Sequence, residues 1–262
     1  MSQWQQYSNL IQALGIPDFV RCICAVGAGG KTSLLHRLAE EYRAQGRKVL
    51  LTTTTKMYLP KKYAALDRSA EEILTCLEQD SFVTAGTTVS EEKMGPLPLE
   101  IWKDVVRGAD VVLVEADGSR RLPLKVPGAG EPVLPAECDF LIAVEGLSGI
   151  GQPLEQVCHR LEQATKLLGC PGTQTVTEKM VAQLARKGYQ RFLDERIPAE
   201  NGNAENTENI PNTGFSGSSC YFFNQADCLS EEQKNKIAEA MEGTDFVLGS
   251  LREGSYLKKL AE

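Results

Sequence analysis

Histidine is almost missing from this chain: of 262 residues only His36 and His159. Eight cysteines are present, yet no two stand as C-x-x-C. Together these scarcities leave a zinc site of the usual spacing without support. Scattered, unpaired thiols fit a reducing compartment rather than a disulfide framework. Cys22 and Cys24 flank Ile23 on an expected strand, and two small apolar side chains on one face read as core. No apolar run approaches the ~20 residues of a membrane-spanning helix. The stretch from Met1 to Leu10 lacks the basic start and apolar centre of a signal peptide. Basic runs are also lacking and the net charge is −7, so the clustered Lys/Arg face of a nucleic-acid binder is absent. The expectation is a cytoplasmic protein whose partners are small molecules or proteins, with no nucleic acid and no membrane among them.

What is present is ordinary globular usage, 42% hydrophobic and 24% charged residues, enough in a chain of this length for a full core without disulfides or a structural metal. Strand and helix signals alternate. Phe19 to Val26 is an apolar, β-rich run ending in a glycine loop. Lys31 to Gln45 carries Leu34, Leu35, Leu38 and Tyr42 at helical spacing, and Gly46 stops it. Strands are expected at Lys48–Thr54, Phe82–Ala85, Asp110–Ala116, Phe140–Val144, Tyr221–Phe223 and Phe246–Leu248. Helices are expected at Ala70–Gln79, Leu99–Arg107, Leu154–Leu168, Glu178–Lys187 and Ser230–Met241. The pattern predicts an α/β fold, a mostly parallel sheet flanked by helices and similar to P-loop nucleoside triphosphate hydrolases, as a single domain over 1–262. Ala199 to Ser219, rich in Asn, Glu, Gly, Ser and Thr, buries too little to order itself and is expected to be a mobile loop or insertion.

The sharpest motif is Gly27-Ala28-Gly29-Gly30-Lys31-Thr32-Ser33, between a strand and a helix, where a phosphate-binding loop belongs. Glycines let backbone N–H groups turn toward phosphate oxygens, and the helix N-terminus adds its dipole. Lys31 places a charge on the phosphates and Thr32 offers a hydroxyl to Mg²⁺. The pattern G-x-x-x-x-G-K-[ST] has glycine where this chain has Ala25, which a β conformation there would accommodate.

Val111 to Asp117 forms the second motif, a buried strand that carries Glu115 and Asp117 to its carboxyl end, where ligands of open α/β sheets collect. Period two places the two acids on one side. One can hold Mg²⁺ while the other positions or activates a water. Glu115-x-x-Gly118 is also similar to the D-x-x-G switch of GTPases. The box Asn224-Gln225-Ala226-Asp227 is similar to N-K-x-D, in which Asp227 would read guanine. Thr54, Thr55 and Lys56 end a strand at the same sheet edge and can meet a γ-phosphate or substrate anion, or fill the strand. Ser119, Arg120, Arg121 and Lys125 suit a second anionic group or a solvated turn. His159 sits on an expected amphipathic helix, where a histidine is usually structural.

These motifs in this order resemble the YqeC family, accessory proteins linked to selenium-dependent molybdenum hydroxylases. The residues that carry the likeness are Val26 to Thr32, Thr52 to Met57, Val114 to Ser119, Glu131-Pro132-Val133, His159-Arg160 and Asn224 to Asp227. The family pattern has Lys where Gln225 stands. The resemblance implies a role in maturing a selenium- or molybdenum-containing cofactor, with a molybdenum hydroxylase or other maturation protein as partner. The residues themselves point to Mg²⁺ with GTP or ATP. Three readings follow: an NTP hydrolase, with Lys31, Glu115 and Asp117 catalytic and Thr32, Glu115 and Asp117 on the metal; a small-molecule kinase or nucleotidyl transferase; and a nucleotide-gated scaffold without turnover.

Overall fold

The structure, a computed structural model, describes residues 4–193 and 217–259. Along the chain run β1 (Trp4–Tyr7), α1 (Leu10–Leu14), β2 (Cys22–Gly27), α2 (Lys31–Ala44), β3 (Val49–Thr53), β4 (Met57–Tyr58), β5 (Ala64–Leu66), α3 (Ala70–Asp80), β6 (Phe82–Thr88), β7 (Lys93–Gly95), α4 (Leu99–Gly108), β8 (Val111–Glu115), β9 (Leu124–Lys125) and β10 (Phe140–Gly146). There follow α5 (Leu154–Val157), β11 (Cys158–His159), α6 (Leu161–Leu168), α7 (Glu178–Leu193), β12 (Ser218–Asn224), α8 (Glu231–Ala240), β13 (Phe246–Ser250) and β14 (Ser255–Lys259). Strand and helix alternate as the hydrophobic periods require.

The centre of the main sheet is parallel, in the order β13-β12-β10-β2-β8-β3-β6, with β5 also parallel on β6. Antiparallel strands finish both edges: β14 and β1 beside β13, β7 and β4 beside β6. The result is an α/β architecture whose large, mostly parallel sheet is covered by helices on both faces. Alternate residues of each central strand enter opposite cores. Ile23, Leu51, Leu113 and Ile142 pack with α1 and α2, while Cys24, Leu50, Val112 and Leu141 pack with α3, α4, α7 and α8. Burial on both faces is why these strands read as unbroken apolar runs. Cys22 and Cys24 are indeed core side chains on one face.

After β2 the chain builds β3, β6 and β8 on one side, then β10, β12 and β13 on the other. The boundary between β2 and β10 is thus the topological switch point, where the strand ends leave a crevice.

Two elements differ from expectation. The helix expected over Leu154–Leu168 is interrupted: His159 is in β11, paired in parallel with Lys125 of β9, and Arg160 takes φ 68° before α6 begins. Local periodicity favoured a continuous helix, but pairing with β9 and the ion pair of Arg160 with Glu131 at 3.0 Å override it. The expected loop at 199–219 lies outside the described residues up to 216, and its last residues Ser218 and Ser219 already belong to β12.

Candidate functional site

A cleft of about 770 Å³ opens at the carboxyl ends of the central strands. Gly29, Gly30, Lys31, Thr32 and Ser33 line it, together with Thr55, Lys56, Glu115, Gly118 and Asn224. The sequence motifs therefore converge, although they lie as far apart in the chain as Gly29 and Asn224.

The glycine loop is fastened from outside. Ala28 N–H donates to the Val144 carbonyl at 2.8 Å, and Asn224 Nδ2 donates to the Gly29 carbonyl at 2.7 Å. The Asn224 Oδ1 accepts from Leu251 N–H at 3.2 Å, so this side chain ties the loop to the turn after β13. Gly27, Gly29 and Gly30 have φ of 94°, 76° and 132°, a region that L side chains rarely adopt. A Cβ on Gly29 would stand 2.2 Å from the Gly146 nitrogen, and one on Gly27 2.1 Å from the Val144 oxygen. Ala25, by contrast, is mid-strand, paired with Ile142 and Glu115, so no glycine is needed there and the tight turn opens only at Gly27. Gly118 also lines the cleft, but a Cβ on it would meet nothing within 4 Å. Gly29→Ala is therefore expected to cost at least about 2 kcal/mol in urea unfolding, and Gly118→Ala within about 0.5 kcal/mol of zero. Similar losses in both would mean that the loop is not sterically set.

The carboxylates divide their work. Glu115, at the last position of β8, accepts from the Thr32 hydroxyl at 2.6 Å and faces the cleft. Burial pushes its carboxyl above the usual range against the pull of Lys31 and Thr32. Asp117, two residues on, is past the strand end and fully buried, and does not line the cleft. It accepts from Gly27 N–H at 2.9 Å and 3.1 Å and from Lys125 Nζ at 2.8 Å, and it pairs with Lys31 Nζ at 3.1 Å. Lys31 also donates to the Gly27 carbonyl. Burial alone would lower the Lys31 ammonium, but Asp117 and Glu115 outweigh it and hold it charged. The hard-oxygen pair of Thr32 and Glu115 fits a Mg²⁺ ion shared with phosphate; Asp117, its oxygens taken by nitrogen donors, fits the positioning of Lys31 and Gly27 instead.

Other expected residues fall at varied distances from this centre. Thr53 donates to the Glu115 carbonyl at 2.7 Å and Thr54 to the Val133 carbonyl at 2.7 Å, so both brace the strand ends. Thr55 and Lys56 reach the cleft, and among the described residues the Thr55 hydroxyl has no hydrogen-bond partner. Asp227 is exposed on a short 3₁₀ turn and is not part of the lining, whereas Gln225, with φ 69°, is. Lys125 is no surface cation: it is completely buried, its ammonium on Asp117, on Glu131 at 2.8 Å and on the Gly118 carbonyl at 2.7 Å.

Sequence reading missed Tyr58 and Lys93, brought in by the β4 and β7 edge strands, and Glu145, which ends the apolar run of β10 as Glu115 ends that of β8. That shared pattern was the available signal. Glu145 is fully buried, one oxygen accepting from Lys125 N–H at 3.1 Å and the other without a partner among the described residues, and burial pushes its carboxyl well up. Glu131 behaves oppositely. Burial would raise it, but Arg160 and Lys125 together bring it down to about 2. A depressed acid stabilises the fold above its unfolded pKa of about 4.3 and loses that contribution as pH falls toward 2. The gap in melting temperature between wild type and Glu131→Gln should therefore hold from pH 6 to about pH 5 and narrow from there toward pH 3; a constant gap down to pH 3 would contradict the ion-pair account.

Among the described residues no helix is long and apolar enough to cross a membrane. A family model described as YqeC protein matches residues 23–162, which includes the glycine loop, Glu115, Asp117, Lys125, Glu131 and His159 but not the Asn224 box. The chain is also 34% identical over 192 residues to an Escherichia coli (strain K12) protein described as uncharacterized protein YqeC, covering 71% of this chain and 75% of that protein.

Proposed function

This chain belongs to the YqeC family, and we propose that it is a P-loop nucleotide-binding protein, a Mg²⁺-dependent GTPase or ATPase that supports maturation of a selenium-dependent molybdenum hydroxylase. One observation carries the nucleotide reading: a glycine loop held open in left-handed backbone at the start of a 14-residue helix, with Lys31 and the Thr32–Glu115 pair beside it in one cleft. Loop N–H groups and the helix dipole favour phosphate there, and the switch-point position suits a nucleotide. Mg²⁺, when bound, would screen phosphate charge from Thr32 and Glu115. Lys31 would leave the Gly27 carbonyl for a phosphate oxygen, while Asp117 stays satisfied by Lys125 and Gly27 N–H. Glu115, with one oxygen on the Thr32 hydroxyl, would offer the other as acceptor for a hydrogen bond from an attacking water. The hydroxylase partner rests on the family resemblance.

Calorimetric titration of GTP and of ATP, each with and without Mg²⁺, tests the reading and settles the base. Binding that needs Mg²⁺ supports it, and no binding of either at millimolar concentration would overturn it.

A further inference from the structure

The cleft wall outside the phosphate loop carries further positive charge. Lys56, Lys93, Arg120 and Arg121 all line it. Among the described residues none of the four forms an ion pair, although the chain as a whole is at −7. The acids of the lining are already engaged: Glu115 by Thr32, Glu131 by Lys125 and Arg160. Neither acid thus pairs with any of these four cations.

The wall is also arranged. The Arg121 guanidinium lies 4.0 Å from the centroid of the Tyr58 ring, and Lys93 Nζ 5.2 Å from it. Stacking fixes the plane of a guanidinium while its N–H edge stays free, the geometry that grips an oxyanion through two parallel hydrogen bonds. Arg120 and Arg121 hold φ of 51° and 63° in succession, each costing roughly 1–2 kcal/mol in a residue with a Cβ. Such outliers persist where the surroundings fix them, and they gather at ligand sites. His159 lines the same wall, its imidazole pushed down by burial and by the cations of Lys125, Arg160 and Arg120.

We propose that Lys93, Arg121 and the Tyr58 ring that orients them, with Arg120 and Lys56, form a second subsite for a small-molecule phosphomonoester bound beside the nucleotide. The subsite deepens the nucleotide reading of this cleft and rests on it only for the neighbour, since its cations are distinct from Lys31. A dianion there meets several cations and no free carboxylate, and charge-assisted bonds of this kind are the strong ones.

The test is calorimetry on the full chain with glycerol 2-phosphate as probe and glycerol as its uncharged control. Wild type preloaded with Mg²⁺ and a β,γ-imido nucleotide should bind one glycerol 2-phosphate and no glycerol. The double variant Lys93→Ala/Arg121→Ala should weaken the probe at least about tenfold while the nucleotide analogue changes less than about twofold. Lys31→Ala should show the converse. No probe binding to loaded wild type overturns the subsite, and so does equal weakening of probe and analogue, which would assign these cations to the nucleotide. Should wild type take up no analogue, the nucleotide reading falls separately. Glycerol 2-phosphate titrated into Lys31→Ala, with and without the double substitution, then decides the subsite: a loss with the substitution upholds it, and no difference overturns it.

Discussion

Lys31→Ala should weaken Mg²⁺-nucleotide binding about 100-fold while leaving the fold nearly intact. The ammonium is buried in the loop and can reach phosphate only from there. Hydrogen bonds to charged groups contribute about 1.5–3 kcal/mol each, and about 1.4 kcal/mol is tenfold in affinity. The expected insensitivity of the fold follows from Asp117. Without Lys31 that carboxylate still has Lys125 at 2.8 Å and Gly27 N–H at 2.9 Å, so no bare charge is left buried. Calorimetry and urea unfolding on the same preparation separate the two effects. An unchanged dissociation constant for both GTP and ATP would remove Lys31 from the phosphate site.

Lys125→Met should do the reverse in magnitude. Its ammonium is wholly buried and is shared by Asp117, Glu131 and the Gly118 carbonyl. Removing one partner of a buried charge cluster typically costs about 3–5 kcal/mol, because the remaining charge stays out of water. For a protein of this size about 1 kcal/mol moves the melting temperature by about 2–4 °C, so a fall of about 10 °C is expected. Nucleotide binding should weaken as well: Asp117, deprived of Lys125, holds Lys31 more firmly on the loop. Urea unfolding and a thermal scan measure the first effect, and nucleotide titration the second. A loss below about 1 kcal/mol would mean that methionine's packing offsets the lost ion pairs, as it can in buried clusters, and would refute the view of Lys125 as keystone of the site.

These two lysines show where sequence reading was strong and where it stopped. Lys31 was legible because its neighbours are its context: three glycines before it, a hydroxyl residue after it, a strand behind and a helix ahead. Lys125 stands in a short basic stretch that resembles any solvated turn, and nothing in the local pattern announces that Glu131 and Asp117 enclose it. His159 misled for a related reason. Helical spacing over Leu154–Leu168 is a local pattern, whereas pairing of β11 with β9 joins residues 34 apart in the register His159–Lys125. In the box Asn224 to Asp227, where Asp227 carries the expected guanine contact, the Asn224 side chain spans Gly29 and Leu251 and so braces the loop, a role its local sequence does not announce.

By itself the sequence determined the alternation of strands and helices, the two-faced burial of the central strands, and a glycine loop at a strand–helix junction. Those follow from periodicity and from what glycine alone permits, both of which act over a few residues. Tertiary structure decided the rest. It decided that Glu115 faces the cleft while Asp117 lies beneath it, because the strand ends between them. It decided that Lys125 is interior and Arg121 is stacked on Tyr58, because the β9–β11 pair, the segment after β8 and the β4 edge strand, distant in sequence, converge around one cleft. Charges change meaning with burial and partner, and neither is written in the local chain.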